Sequence, residues 1–553
     1  ASGTQDNASY LDDFESTKSS IDVMTPTSWF LSSVPSMFPE NKDKTGLTSG
    51  FNRSQMAWYT IDPLFNRKGS TLTPGHIKSD LNQLSNHYVR AIYMRELFPL
   101  RQQQTYSTET STVNAMNIAF YPNERGPYNF NVTDLQADGT LANPQKHWGG
   151  MMRKLDTNDF EQANVEYIEF WMLDPFIYSN QQPDARLYGG DFYINLGEIS
   201  EDILRDGKKF YESGIPVDGS NSFTYSQWGK IPTQSTVTYA FATTSGSRAL
   251  QDVGFNGLTD AEEQEFYRSA YLDQIQGKVN QAVFDSIFAD PARDDYHYYR
   301  GSDWDQMQAP ILYRYKFINN PQGNSPDSDS RTESYDTSYK STPDVEDINQ
   351  DYTLNEYEKY FQYHVSIRPE DLVVGKNYIV DKREYTPSLP NGTKNETVTW
   401  YQFRIPVDQY ESKVGNINDF SSIRFMRMFL TNFEKPIVMR FGTLDLVRGT
   451  WRTYDQPLGA ANGGTLEASA VSIEENAEKT PVNYVLPPGI RRGQDPSQPQ
   501  LVEENEQALS LVVKNLSSGE AKAVYKNTTL DLRQYKRIQM FTHANALAQN
   551  TTD

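Results

Sequence analysis

The feature that most constrains this chain is the run Val165-Glu-Tyr-Ile-Glu-Phe-Trp-Met-Leu173, entered from Asp159-Phe160 and stopped by Asp174-Pro175. Aromatic and β-branched residues fit a pleated surface and proline cannot continue a ladder, so the run reads as a strand with an abrupt end. Alternate side chains point to opposite faces, which puts Ile168, Phe170 and Met172 on one side and Tyr167, Glu169, Trp171 and Leu173 on the other. Both faces are largely apolar. The strand is therefore expected at the centre of a sheet covered on both sides, with Phe170 and Trp171 buried and Glu169 in need of a partner.

The run recurs. Ile423–Leu430 matches Val165–Met172 apolar for apolar, and Arg424 and Arg427 replace Glu166 and Glu169 with the charge reversed. Each copy follows an Asp-Phe pair, Asp159-Phe160 or Asp419-Phe420, and precedes a second strand ending in glycine, Ile194–Gly197 or Met439–Gly442. Tyr535–Phe541 is a weaker third copy. Repeated strand sets divided by Gly/Pro turns imply a mainly β fold of tandem antiparallel β-sandwich modules, jelly-roll-like, with a few inserted helices.

The expected organisation is a first module over 1–204 with a helical insertion near 75–100, then a mixed loop and helix region over 205–318. An acidic linker over 319–358, a second module over 359–455, a linker over 456–500 and an incomplete third module over 501–553 follow. Helices are expected over Asp80–Leu97, Ile199–Leu204 and from Thr259 towards Phe284, the last opened by a Thr259/Glu262 capping box. The third module lacks closing strands, so the chain reads as a fragment of a longer protein.

A net charge of −21 argues against a nucleic-acid partner and against basic attachment to an anionic membrane. The absence of cysteine excludes disulfides, thiolate catalysis and Cys-ligated metals. No apolar run is long enough for a membrane-spanning helix, and the first residues have no signal-peptide pattern.

One stretch has metal-ligand spacing. From Asp347 to Glu358, oxygen-bearing side chains fall at Asp347, Asn349, Asp351, Thr353 and Asn355, with Glu358 at position 12, the order of a calcium loop. Tyr352 stands where the turn normally demands glycine, and the alternative reading is a solvated acidic linker. Calcium is the only cofactor the pattern suggests, and none is required. Catalytic patterns are scarce: the six histidines include no HExxH spacing, and no nucleophile elbow, P-loop or dinucleotide fingerprint occurs. Acidic pairs such as Asp12-Asp13, Glu262-Glu263 and Asp294-Asp295 read as solvated surface. The clusters Tyr296-His-Tyr-Tyr299 and Trp58-Tyr59 are sugar-binding candidates, with core packing the favoured reading. Sequons at Asn131, Asn391, Asn395, Asn515 and Asn527 fit surface loops and strand edges.

Several stretches in order resemble one family. They are Ala57–Phe65, Ser85–Arg90, Tyr121–Asn129, Trp148–Arg153, Asp159–Pro175, Gly197–Asp202, Gln251–Gly254, Pro343–Asn349 and Val485–Ile490. Together they resemble the SprA/Sov family of type IX secretion in gliding and pathogenic Bacteroidetes. The resemblance implies a non-enzymatic portion of an outer-membrane translocon for folded cargo. Its implied partners are a plug protein, a lipoprotein, other secretion-system components and the exported proteins. The outer membrane would be reached through parts of the parent outside this chain. The implied location is the cell envelope, with the cell-surface side favoured. No catalytic residues come with the family. The alternative is a cell-surface carbohydrate-binding β-sandwich.

Overall fold

Two antiparallel sheets face each other across one apolar core. Their strands, in chain order, are β1 (Ser19–Asp22), β2 (Phe30–Leu31), β3 (Ser54–Thr60), β4 (Met116–Arg125), β5 (Trp148–Lys154), β6 (Val165–Leu173) and β7 (Gly190–Glu198). They continue as β8 (Lys359–Ile367), β9 (Ile379–Tyr385), β10 (Val398–Pro406), β11 (Ser412–Val414), β12 (Phe425–Thr431) and β13 (Ile437–Arg448). The first sheet runs β9-β10-β6-β13-β4-β3, with β1 also on β13; the second runs β11-β8-β7-β12-β5-β2. A further hairpin joins β14 (Thr465–Ser472) to β15 (Gln507–Lys514). This computed structural model describes residues 2–5, 8–11, 19–66, 69–101, 111–178, 189–233, 238–329, 331–454, 456, 458–459, 463–493, 503–527, 531, 533 and 535–546.

The mainly β, antiparallel class expected from the sequence is the class observed. The division into modules is different. Residues 1–204 and 359–455 contribute neighbouring strands to both sheets, so they form one interleaved sandwich rather than two in tandem. The repeat is real, but its copies lie in opposite sheets: β6 is in the first and β12 in the second. The strand after each copy crosses over. Thus β7 pairs with β12, Asp191 opposite Thr431, while β13 pairs with β6, Leu444 opposite Phe170. A central strand needs a ladder on each edge, and each copy draws one of its two from the other copy's following strand.

Phe170 sits at the middle of the core. Its ring stacks on Phe403 at 4.6 Å, meets Phe441 edge-on at 5.5 Å and reaches across to Phe192 of the other sheet at 6.2 Å. Trp171, on the opposite face of β6, packs with Trp400, Leu97 and Tyr88, so both faces of the strand are buried as expected.

That outer cover comes from residues 75–98. Instead of one helix over Asp80–Leu97 there are short helices at Leu81–Ser85 and Met94–Leu97. Asn86 leaves the helical region with ψ 125° and its Oδ1 accepts the Tyr88 N–H at 2.8 Å, which turns His87 and Arg90 inward. Arg90 then binds Glu96 through two nitrogens at 2.8 and 2.6 Å, Trp400 donates to Glu96 at 2.8 Å, and Arg440 donates to the His87 and Arg90 carbonyls. Burial, with Arg90 and Arg440 alongside, lowers the His87 pKa to about 3, so this histidine is held neutral.

The Thr259/Glu262 capping box forms, but its helix is Asp260–Phe266, passes into a wider turn over Arg268–Leu272, and is separated by Gly277 at φ +78° from Gln281–Ala289. Residues 199–204 are not helical. The Ile203 and Leu204 N–H groups donate to the Glu346 carboxylate, not to carbonyls one turn back. Residues 319–358 are no free linker either, since Asp344, Glu346 and Asp347 are buried. In the expected linker over 456–500, β14 pairs along its length with β15 of the expected third module. Tyr535–Phe541 is in no sheet, and Ile538 and Met540 are each 77% exposed. Among the described residues, no helix is long and apolar enough to cross a membrane.

Phe170→Ala empties the centre of the core and is expected to lower stability by about 3–5 kcal/mol, measured by urea unfolding.

Candidate functional site

The outer face of the second sheet carries the charged residues that the repeat left to be explained. Arg427 projects from the middle of β12 and is fully buried. Its guanidinium holds Glu358 by a forked pair at 3.1 and 2.7 Å and donates to Asn195 Oδ1 at 2.9 Å. In the first sheet Glu169 accepts from Arg404 at 2.7 Å. Each charge on a central strand therefore has a partner on a neighbouring element, as burial in a low-dielectric interior requires.

Glu358 is the last residue of the expected calcium loop, and the geometry shows what the other oxygens do. Asp347 is fully buried, accepting the Asp351 N–H at 3.0 Å, the Tyr352 N–H at 2.8 Å and the Tyr239 hydroxyl at 2.6 Å. Asn349 Oδ1 accepts the Asp351 N–H at 2.8 Å, and Asp351 accepts both the N–H and the hydroxyl of Thr353. Asn355 donates to the Ile199 carbonyl at 2.9 Å, and Glu358 also accepts the Ser200 N–H at 3.1 Å. Tyr352, the residue that departs from the calcium-loop pattern, is in the left-handed region where that pattern has glycine, with φ +68°. The carboxylates of Asp347, Asp351 and Glu358 do not converge within 4.8 Å of one another. The segment is thus closed by its own Asx turns and strapped to β12 by Glu358.

Two carboxylates missed by the sequence reading complete this strap. Glu346 accepts three backbone N–H groups, from Ile203 at 2.8 Å, Leu204 at 3.0 Å and Phe210 at 3.0 Å. Glu201 accepts the Asn349 and Asn355 N–H groups at 3.0 and 3.2 Å. Burial above all, with Asp347 and Asp351 nearby, pushes Glu201 up to about 8. Burial likewise lifts Asp202 and Asp252 to about 7 and Asp295 to about 8. Both residues lie in stretches that carry the family resemblance, which was the available signal.

Other candidates resolve differently. Glu263 and Asp294, expected at the solvated surface, are fully buried, because the first faces inward from its helix and the second packs against Gly254 and Tyr128. Asp12-Asp13 lies outside the described residues. Trp58 and Tyr59 are core residues, and Tyr59 and Tyr299 sandwich Tyr315 at 4.4 and 4.7 Å. Asn131 is buried in an Asx turn, accepting the Thr133 N–H at 2.9 Å, while Asn395, Asn515 and Asn527 are exposed. A cleft of about 1090 Å³ opens between the start of β6 and the C-terminal hairpins, bordered by Glu166, Tyr167, Arg452, Tyr454, Glu467 and Lys522.

These features define a β-sandwich covered on both faces, with buried polar side chains that strap the covers down. A family model described as motility related/secretion protein (SprA_N) matches residues 270–553, just over half of the chain, and the chain belongs to that family. No curated protein matches it.

Arg427→Met leaves Glu358 without its charged partner and is expected to cost about 3–5 kcal/mol, whereas the double variant with Glu358→Gln recovers part of that loss in a urea double-mutant cycle. The raised carboxyls give a second expectation. Their folded pKa values exceed the unfolded ones, so the stability they contribute is present below about pH 4 and lost as pH rises through about 7–8. Asp191 has the opposite sign. Burial opposes its ionisation, but His364, Arg368 and Asn432 hold it well below the usual range, so its contribution disappears in acid. The urea midpoint should fall between pH 5 and pH 8.5 at constant ionic strength, and Glu201→Gln should flatten that slope.

Proposed function

We propose that this chain is a non-enzymatic part of an outer-membrane translocon of type IX secretion, supplying structural and protein-binding surface for the export of folded cargo. The family match supports a role in motility or secretion. The observation that carries the binding role is the apolar surface of the C-terminal region. Leu511 and Val513 on β15 are 47% and 46% exposed, and Ile538, Met540 and Phe541 are more exposed still. The sandwich itself buries its apolar residues on both sheet faces, so these side chains stand apart as a surface for another protein. Its partners are other secretion-system components and cargo, and its place is the cell envelope at the outer membrane, towards the cell surface.

The carbohydrate reading is weaker, because Trp58 and Tyr59 are core and Tyr296 and Tyr299 of the second candidate cluster pack against that core. Leu511→Lys with Val513→Lys in the parent protein tests the proposal. Reduced cargo export and impaired surface spreading are expected, with cooperative unfolding of the chain unchanged. Normal export by this variant, together with specific sugar binding by the wild-type chain on a glycan array, would favour the carbohydrate reading instead.

A further inference from the structure

Beside Tyr128 and Tyr267 lies a group of three carboxylates. One oxygen from each of Glu263, Asp290 and Asp294 falls within 4.8 Å of the others. Glu263 is presented by the helix Asp260–Phe266, and Asp290 and Asp294 by the loop that follows Gln281–Ala289. Some oxygens are occupied. Glu263 accepts from the Asn256 amide and from the Ala292 N–H at 2.9 Å, and Asp290 Oδ1 accepts the Asp294 N–H at 3.1 Å.

Asp294 is different. Its side chain is fully buried, the Tyr128 hydroxyl faces its carboxylate, and neither oxygen is in a well-formed hydrogen bond. The Tyr128 hydroxyl, which accepts the Phe255 N–H at 2.8 Å, borders it. The Gly254 backbone, at φ +71°, approaches so closely that an added Cβ would stand 2.5 Å from Asp294 Oδ2. The guanidinium groups nearby are directed elsewhere. Arg125 donates to the Asn129, Pro291 and Asp290 carbonyls, and Arg293 lies over the Phe317 ring at 4.5 Å.

A buried carboxylate whose polar neighbour is a single tyrosine hydroxyl, facing two more carboxylates, is costly unless a proton or a cation joins them. Ligand oxygens around calcium, at about 2.3–2.6 Å from the ion, lie at most roughly 5 Å apart, which is the spacing found here. The donors are all oxygen, with no His or Cys, so softer metals have no preference for the site. Magnesium keeps several waters, for which two fully buried carboxylates and a half-buried one leave little room. We propose that Glu263, Asp290 and Asp294 bind one divalent cation of the calcium type, pinning the 290–295 loop to the helix that begins at Asp260. The site is separate from Asp347–Glu358, whose oxygens are held by protein donors.

The test is a calcium chloride titration of the EDTA-stripped full chain by calorimetry near neutral pH, with thermal unfolding measured alongside. One equivalent of calcium should bind, and the unfolding midpoint should rise by several degrees at saturation. Asp294→Asn should abolish both the heat and the shift, while Asp347→Ala with Glu358→Ala should retain them. If Asp294→Asn does not fold, terbium luminescence excited through tyrosine gives an independent readout. Calcium should displace it, and Tyr128→Phe should dim it without removing the calcium heat. No heat and no shift for the wild type in millimolar calcium would overturn the proposal, as would binding that survives Asp294→Asn. A protein unresponsive to calcium whose falling stability with rising pH is flattened by Asp294→Asn would mean that the three groups share protons, which also overturns it.

Discussion

Everything in this fold depends on the contact of Phe170 with Phe192 across the sandwich and with Phe403 and Phe441 beside it. Those four rings come from β6, β7, β10 and β13, which lie on both sides of a connection running from residue 199 to 358. Neither flanking stretch has a complete sheet of its own. The apolar area that stabilises the core becomes buried only when both halves have arrived. Such long-range pairing makes the sandwich a single cooperative unit and ties the intervening segment to it from both ends.

Burying both faces of each sheet creates the second constraint. A central strand that carries Glu169 or Arg427 has to bring the opposite charge with it, and the covers supply or fix those partners. On the first sheet Arg404 answers Glu169 directly, while the Arg90–Glu96 pair anchors the insert above it. On the second, Glu358 answers Arg427, and Glu346 and Glu201 hold the loops above it by their backbone N–H groups. The acidity of the chain is therefore partly internal. Several carboxylates face backbone donors or one another in the interior, where burial raises their pKa values.

Strand type and burial were legible because Val165–Leu173 alternates apolar residues on both faces, and only a covered central strand fits that pattern. The pairing was not. A repeat shows that two stretches take similar conformations, but it does not say whether they stack in tandem or interlock, because that depends on contacts between residues more than two hundred positions apart. Helix boundaries failed where a side chain took a backbone N–H that a helix would have used, locally at Asn86 with Tyr88 and over long range at Glu346 with Ile203. The spacing of Asp347–Glu358 marked Tyr352 as a misfit in the turn and gave no sign of the partner of Glu358, which lies on β12. The carboxylates of Glu263 and Asp294 looked like surface because acidic pairs usually are, and nothing in the local sequence marks their burial.

The interlock can be tested directly in a chain with no cysteine of its own. Asp191 on β7 and Thr431 on β12 lie opposite each other in the ladder, within the reach of a disulfide. The account predicts that Asp191→Cys with Thr431→Cys forms that bond nearly quantitatively under mild oxidation, in a protein that still unfolds cooperatively. Two cysteines that remain reduced in a natively folded protein would contradict it.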